Sequence, residues 1–365
     1  MERYPGFAAK VRYLHGVLKV YYPGLARISV VVFDAASGRL RTFFATGKNE
    51  SVLAGYESPL KNSSSLEKIV DSGQPRIISN LKNPEYSDAE HNKQLLDAGF
   101  LSSYTMPIFL EGEFCGFVFF NAQFEGYFKP QVANHLNIFG HLVALLLTRE
   151  LAVVRTLRAA VSTARLMAAQ RDGETGAHLD RMAYYSRIIA KRLALKLQLT
   201  DEQIEYMFLF APLHDIGKIS IPDSILMKPG RLNSEELRRM RKHVQSGVEI
   251  INALTADFGL QNFPNIQMLS NIVLYHHEAF DGSGYPEGLA GEQIPIEARI
   301  VSAADIFDAL TSRRSYKDAW DSEAAFGKIS EMVGTKLDHN CVQALVDASE
   351  EVASIQANYE ENPYG

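Results

Sequence analysis

The order of apolar periodicities along this chain of 365 residues predicts an α+β N-terminal module, an antiparallel sheet with helices packed on it, followed by an all-α module. A long connecting helix joins the two. Three observations carry the reading. Up to about residue 130 the apolar residues fall in short β-branched and aromatic runs broken by turn residues. From Leu136 their spacing becomes helical. Beyond residue 170 they recur three and four apart between loops containing Gly and Pro.

In the first module, residues 28–33 form a strand that ends in Ala-Ala-Ser-Gly, and 39–45 is its hairpin partner. A helix over 65–70 stops near Gly73, and 76–78 is a short strand. Residues 104–110 and 114–121 flank Glu111-Gly112-Glu113, a second hairpin signal. Leu136, Phe139, Val143, Leu146, Val153, Leu157, Ala160, Ala164 and Met167 then keep heptad spacing, with Glu150 as the flaw. Such a seam predicts a helix paired with a second copy in a parallel homodimer, the alternative being a helix packed on its own domain. In the helical part, Leu179, Met182, Ile189 and Leu193 mark one helix. Asn233 with Glu236 forms a capping box before Leu237, Met240, Val244, Val248 and Ile251. Further helices run over 266–277 and 296–310. The domain limits are therefore 1–135, 136–170 for the connecting helix, and 171–365.

Composition narrows the function classes. Hydrophobic residues make up 46% and charged residues 22%, as in ordinary soluble globular proteins. A net charge of −6 argues against general nucleic-acid binding, which needs a basic face. Cys115 and Cys341 are far apart and lack metal or haem spacing, so both are expected to be reduced and buried in a cytoplasmic protein. The N-terminus lacks the apolar core of a secretory signal, and the most apolar run, 142–147, is too short to span a bilayer.

Five of the ten histidines lie between 178 and 277, each beside a helical apolar pattern. Glu174 and His178 are four apart; His214-Asp215 end an apolar run before Gly217; His243 adjoins Met240 and Val244; His276-His277 end an apolar helix. Asp305 and Asp308 lie three apart inside an apolar run, where a carboxylate is costly to bury without a cation. Singly, each has an ordinary explanation: His243 as a boundary residue, Asp215 as a cap, Asp308 as a hydrogen-bonding group. Jointly, imidazole and carboxylate at this density suit iron, manganese or zinc.

The runs RDGETGAHLDR, HDIGKISIPD, KHVQSG, HHEAFDGSGYPEGL, IPIEARIVSAADIFDAL and TSRRSYK, in this order and spacing, resemble the HD-GYP domain, a branch of the HD superfamily of metal phosphohydrolases. The resemblance implies hydrolysis of the bacterial second messenger cyclic di-GMP, to linear pGpG or GMP, on two or three metals, commonly iron or manganese. It implies the ligands Glu174, His178, His214, Asp215, His243, His276, His277 and Asp305, with Glu174 tied to a third metal. Lys218 resembles a phosphate-contacting lysine, Arg314 and Lys317 the cations for the second phosphate, and Arg313 a solvated charge. Asp215 is the natural bridging carboxylate. Tyr285, in the Gly-Tyr-Pro loop, would stack on a guanine, brace the loop or meet a protein partner. Ala279 and Ser315 depart from the family's arginine and proline, which bears on affinity rather than hydrolysis. Residues 1 to about 145 resemble a GAF domain, with 28–33, LEKIVDSGQPRIISNL and YTMPIFLEGEFCGFVFFNA in order; this implies a sensory or dimerising role with a possible small-molecule ligand. Cys115, His91, His135 and His141 read as packing or surface residues. The competing functions are an HD phosphohydrolase of another nucleotide and a catalytically silent effector that binds cyclic di-GMP or a protein.

Overall fold

The computed structural model describes residues 4, 6–87, 89–168, 176–257, 265–312 and 319–360. It divides into two compact units, Met1–Val153 and Val154–Gly365. The first holds an antiparallel sheet of six strands, β1 (Leu25–Asp34), β2 (Arg39–Gly47), β3 (Glu57–Pro59), β4 (Arg76–Ile78), β5 (Ser102–Leu110) and β6 (Glu113–Ala122), in the order β3-β2-β1-β6-β5-β4. Both expected hairpins are present, β1 with β2 and β5 with β6. Helices α1 (Gly6–Tyr21), α2 (Ser64–Ser72), α3 (Pro84–Ser87) and α4 (Glu90–Asp97) surround it. Helix α2 ends as its sequence demands: Gly73 takes the left-handed conformation at φ 65° and donates its N–H to Ile69 O.

Strand residues alternate between two faces. On one face Phe7 of α1 meets both Phe43 and Phe44 edge-on, at ring distances of 5.3 and 5.7 Å, because a bulge opposite Val30 and Val31 breaks the alternation there. Helix α5 (Pro130–Ala168) packs there too: a methyl group on Gly140 would come within 2.9 Å of Met106 Cε and 3.4 Å of Phe120. On the other face α2 places Leu66 and Ile69 against Leu40 and Phe117, and α4 places Leu95 against Ile78.

Helix α5 changes two sequence expectations. Its segment Pro130–Thr156 is long and apolar enough, by length and composition, to cross a membrane, well beyond the short run at 142–147. Within this unit, however, Ala133, Leu136, Val143 and Leu147 are buried, and Gly140 lies on the sheet, so the apolar stripe is an inner face. The buried positions also differ from the expected seam: Leu147 and Glu150 are buried, whereas Phe139, Leu146 and Val153 are half-buried. Over residues 133–147 the helix therefore packs on its own domain, while the side chains of the seam positions Leu157, Ala160, Ala164 and Met167 lie outside the described residues.

The second unit is helical: α6 (Gly176–Leu197), α7 (Asp201–Phe210), α8 (Asp223–Leu226), α9 (Ser234–Met240), α10 (His243–Asp257), α11 (Ile266–Tyr275), α12 (Ile296–Thr311), α13 (Ser322–Glu331), α14 (His339–Val346) and α15 (Ser349–Asn358). Met182, Tyr185, Ile189 and Leu193 form the buried stripe of α6. Capping boxes start α7 (Thr200 with Gln203) and α9 (Asn233 with Glu236). The single helix expected from Leu237 to Ile251 is two, broken at Arg241-Lys242. The reason is local. His243 Nδ1 lies 2.9 Å from Met240 O, so its ring takes the carbonyl that an unbroken helix would offer to Val244.

Candidate metal centre

Five elements deliver the expected ligands to one place, mostly at helix ends. Pro212 stands in the 3-10 turn Ala211–Leu213 and prevents α7 from continuing, so His214 and Asp215 follow the break, facing inward. His243 begins α10, His276 caps the end of α11, His178 lies in the first turn of α6, and Asp305 lies in α12. His214, His276 and His243 are at most 2% exposed and Asp215 is 6% exposed.

Two groups result, each with its possible ligand atoms within 4.8 Å of one another: Asp215, His243, His276 and His277, and His178, His214 and Asp305. Asp215 stands between them. Its Oδ1 lies 3.2 Å from His243 Nε2 and 3.7 Å from His276 Nε2, while Oδ2 lies 3.1 Å from His214 Nε2 and 2.8 Å from Lys218 Nζ. Asp305 Oδ1 is 3.9 Å from His214 Nε2.

The far side of each ring fixes its orientation. Nδ1 of His214 donates to Ala211 O at 2.8 Å, and Nδ1 of His276 to Ile272 O at 3.0 Å and Val273 O at 3.1 Å, as His243 does to Met240 O. The Nε2 lone pairs are thereby aimed at the carboxylates. His178 is held differently. Its Nδ1 lies 2.7 Å from Asp308 Oδ2, and Arg181 grips Asp308 with Nε and Nη2 at 2.5 and 3.0 Å, while Nη1 reaches Tyr359 O at 2.9 Å. Burial alone would raise the Asp308 carboxyl, but His178 and Arg181 hold it down at about 2.

Electrostatics agree with a ligand role. Burial raises and Lys218 and His214 lower the Asp215 carboxyl, and the net is well below the usual carboxylate range. Burial, then neighbouring charge, lowers His276 and His277, so both are neutral ligand forms at pH 7. Asp215 Oδ1, His243 Nε2 and His276 Nε2 are buried without a hydrogen bond. Converging buried donors left in this state are costly, and a divalent cation resolves all three at once.

Two glycines set the clearances. A methyl group on Gly217 would overlap the His243 carbonyl oxygen and come within 2.5 Å of Gly247 N, so only glycine lets the turn after Asp215 lie on α10. A methyl group on Gly284 would meet Glu278 Cα at 2.5 Å. That loop is braced by Glu278 Oε1, which accepts from Glu287 N at 2.8 Å and Gly288 N at 3.1 Å. Its Tyr285 ring stacks on His277 at 4.9 Å, with the Arg241 guanidinium 4.8 Å from the ring centre. Arg181, Arg241 and Glu278 are residues that sequence reasoning did not single out, though each lies within three positions of an expected ligand; Asp308, expected to need a cation once buried, meets it in Arg181. Glu174, Arg314 and Lys317 lie outside the described residues.

Substituting Gly217→Ala should cost about 1–3 kcal/mol in urea unfolding by overpacking, whereas Gly327→Ala, with open space around it in α13, should be neutral or slightly stabilising. Asp308→Asn should loosen His178 and weaken manganese binding about 10–100-fold by equilibrium dialysis, with little loss of helical circular dichroism. Unchanged manganese affinity would exclude Asp308 as an orienting group.

The chain is similar to known proteins in two respects. A family model described as an HD domain matches residues 147–341, more than half of the chain. The cyclic di-GMP phosphodiesterase response regulator RpfG of Xanthomonas campestris is 45% identical over 176 residues, 48% of this chain and 44% of that protein. A 3'3'-cGAMP-specific phosphodiesterase 2 of Vibrio cholerae is 40% identical over 52% of this chain and 34% of its own length. A cyclic di-GMP phosphodiesterase of Thermotoga maritima is 39% identical over 52% and 49%. The chain thus spans less than half the length of these relatives. Among solved structures, the GAF domain/HD domain protein from Geobacter sulfurreducens is similar at 14% identity and a TM-score of 0.33, covering 39% of this chain and 93% of that one. With the HD model matched across the residues that build the centre, the chain belongs to the HD domain family.

Proposed function

We propose that this chain is a signalling phosphodiesterase that hydrolyses cyclic di-GMP, to pGpG, GMP or both. The observation that carries the reading is the placing of one buried carboxylate, Asp215, between two groups of imidazole and carboxylate donors. The relatives' names support the substrate class, cyclic dinucleotides.

Asp215, His243, His276 and His277 would hold one cation and His178, His214, Asp305 and again Asp215 a second, with Glu174 available to a third; iron or manganese suits these donors. When bound, such cations supply a water nucleophile near neutral pH and take up charge on the scissile phosphate. The chain's own residues do the rest. Lys218 carries a cation to the edge of the centre, where it balances Asp215 and faces an incoming phosphate. Arg314 and Lys317 are assigned to the second phosphate of the substrate. Tyr285, stacked on His277, would offer an aromatic surface to a guanine.

Regulation is assigned to the first unit, acting through α5 in a cytoplasmic homodimer. Ile138 and Leu145, seven residues apart on that helix, are 69% and 64% exposed and provide an apolar stripe separate from the one packed on the sheet.

Protein purified anaerobically with iron or manganese should hold two or three metals per chain and convert cyclic di-GMP, with 3'3'-cGAMP assayed beside it by product chromatography. His214→Ala with Asp215→Ala should abolish turnover and lower bound metal while helical content persists; Glu174→Ala should remove one metal. Turnover in the metal-replete double variant would overturn the assignment, and faster turnover of 3'3'-cGAMP would change the substrate. A four-residue insertion near Glu150 should alter activity at normal metal content, by shifting the phase of α5. A monomeric parent in light scattering, or wild-type kinetics in the insertion variant, would remove α5 from regulation.

A further inference from the structure

The edge of the metal centre carries two cations in unlike states. Lys218 is held by Asp215 at 2.8 Å. Arg241 stands in the turn between α9 and α10, two residues before His243, and is exposed. Cations close to it in the chain have acidic partners: Arg238 pairs with Glu235, and Lys228 with Glu236 at 2.6 Å. Arg241 itself makes no ion pair among the described residues.

What Arg241 meets is an aromatic ring. Its guanidinium lies 4.8 Å from the centre of Tyr285, whose ring stacks on His277 at 4.9 Å. A guanidinium held by a ring keeps its N–H donors in its own plane for a further partner, and the contact limits the rotamer freedom that binding would cost. Burial first, then Asp215, raises the Tyr285 hydroxyl, while Arg241 and Lys218 oppose, so both cations act on one ring. A base brought to Tyr285 therefore meets a fork of donors two residues from His243 in the chain.

In the proposed reaction the two phosphates of a cyclic dinucleotide already have their cations, Lys218 for one and Arg314 with Lys317 for the other. What is left for Arg241 is a base. Guanine presents two acceptors side by side, O6 and N7, which match the parallel donors of a guanidinium. Adenine presents N7 beside an amino group, so one donor of the fork would face another donor. We propose that Arg241 is a specificity-determining residue, which reads the O6/N7 edge of a guanine seated against Tyr285 and so favours guanine over adenine in a cyclic dinucleotide. The ligand class rests on the phosphodiesterase reading.

Equilibrium dialysis of the full, metal-loaded chain with the phosphorothioate analogues of cyclic di-GMP and cyclic di-AMP, in which sulfur on phosphorus slows hydrolysis, tests this. The guanine compound is expected to bind about tenfold or more tighter than the adenine compound. Arg241→Gln should weaken the guanine compound about tenfold or more and the adenine compound little, at unchanged metal content. Arg241→Lys should recover only part of the preference, since it keeps the charge but loses the fork. An undiminished guanine preference in Arg241→Gln, an equal loss for both compounds, or an unaltered chain without guanine preference would each overturn the proposal. On the unaltered chain the 7-deaza analogue of cyclic di-GMP, which lacks the N7 acceptor, should also bind more weakly than cyclic di-GMP, and equal binding would overturn the proposal without any variant. Product chromatography on cyclic di-GMP keeps the two readings apart. Guanine-selective binding that depends on Arg241 and is not followed by hydrolysis would sink the phosphodiesterase reading and leave the role of Arg241 standing.

Discussion

Burial of the Asp215 carboxylate among imidazoles sets the terms for the helical unit. A carboxylate taken out of water gains a proton unless cations and hydrogen-bond donors outweigh the loss of solvation. Lys218 and His214 tip that balance towards the ionised form. The rings around it must then stay neutral and turn Nε2 inward, so each Nδ1 needs an acceptor on its far side. Carbonyls at the ends of helices are the spare acceptors of a helical fold. His214, His243 and His276 each use the carbonyl three or four residues back, at Ala211, Met240 and Ile272/Val273. The need to satisfy Nδ1 thus explains why these ligands stand at chain breaks instead of mid-helix. It also accounts for the interruption between α9 and α10.

His178 is the exception, and its solution costs more. Lying in the first turn of α6, it turns Nδ1 to a carboxylate, Asp308. A second buried carboxylate needs its own cation, which Arg181 supplies from the same helix as His178. His178 is therefore joined to Asp308, Arg181, Ser312 and the Tyr359 carbonyl in a single network. Breaking one member leaves a buried charge without its partner, the condition under which buried ion pairs become expensive.

Those parts of the site written as adjacent residues were legible in the sequence: His214-Asp215 at the end of an apolar run before Gly217, His276-His277 at the end of an apolar helix, and both hairpins around their Gly turns. Parts that depend on one residue meeting another far along the chain were not. The cation that a buried Asp308 needs is not identified until His178 and Arg181, some 130 residues earlier, are placed against it. The helix spanning Leu237 to Ile251 obeys one periodicity, and only the ring of His243 breaks it. In the first unit, α1, β3 and α4 lack strong signals. His91 reads as packing or surface, yet with Arg27, Ser29 and Asn121 it lines a cleft on the sheet, because a polar sheet face is recognised only once the strands are ordered side by side.

Helix α5 shows a different limit. A seven-residue apolar repeat results whether a helix packs on a sheet of its own domain or on a second copy, because both partners are met by one stripe every two turns. Period alone therefore cannot separate the two, and the run from Leu136 fits both. Burial shows which residues the sheet takes. Leu136, Val143 and Leu147 face inward with Gly140, whose missing side chain lets the helix approach Met106 and Phe120. Ile138 and Leu145 keep the same seven-residue spacing on the exposed side. The inner stripe is filled by the sheet, so the pairing with a second copy proposed above would draw on the exposed residues and not on positions already buried.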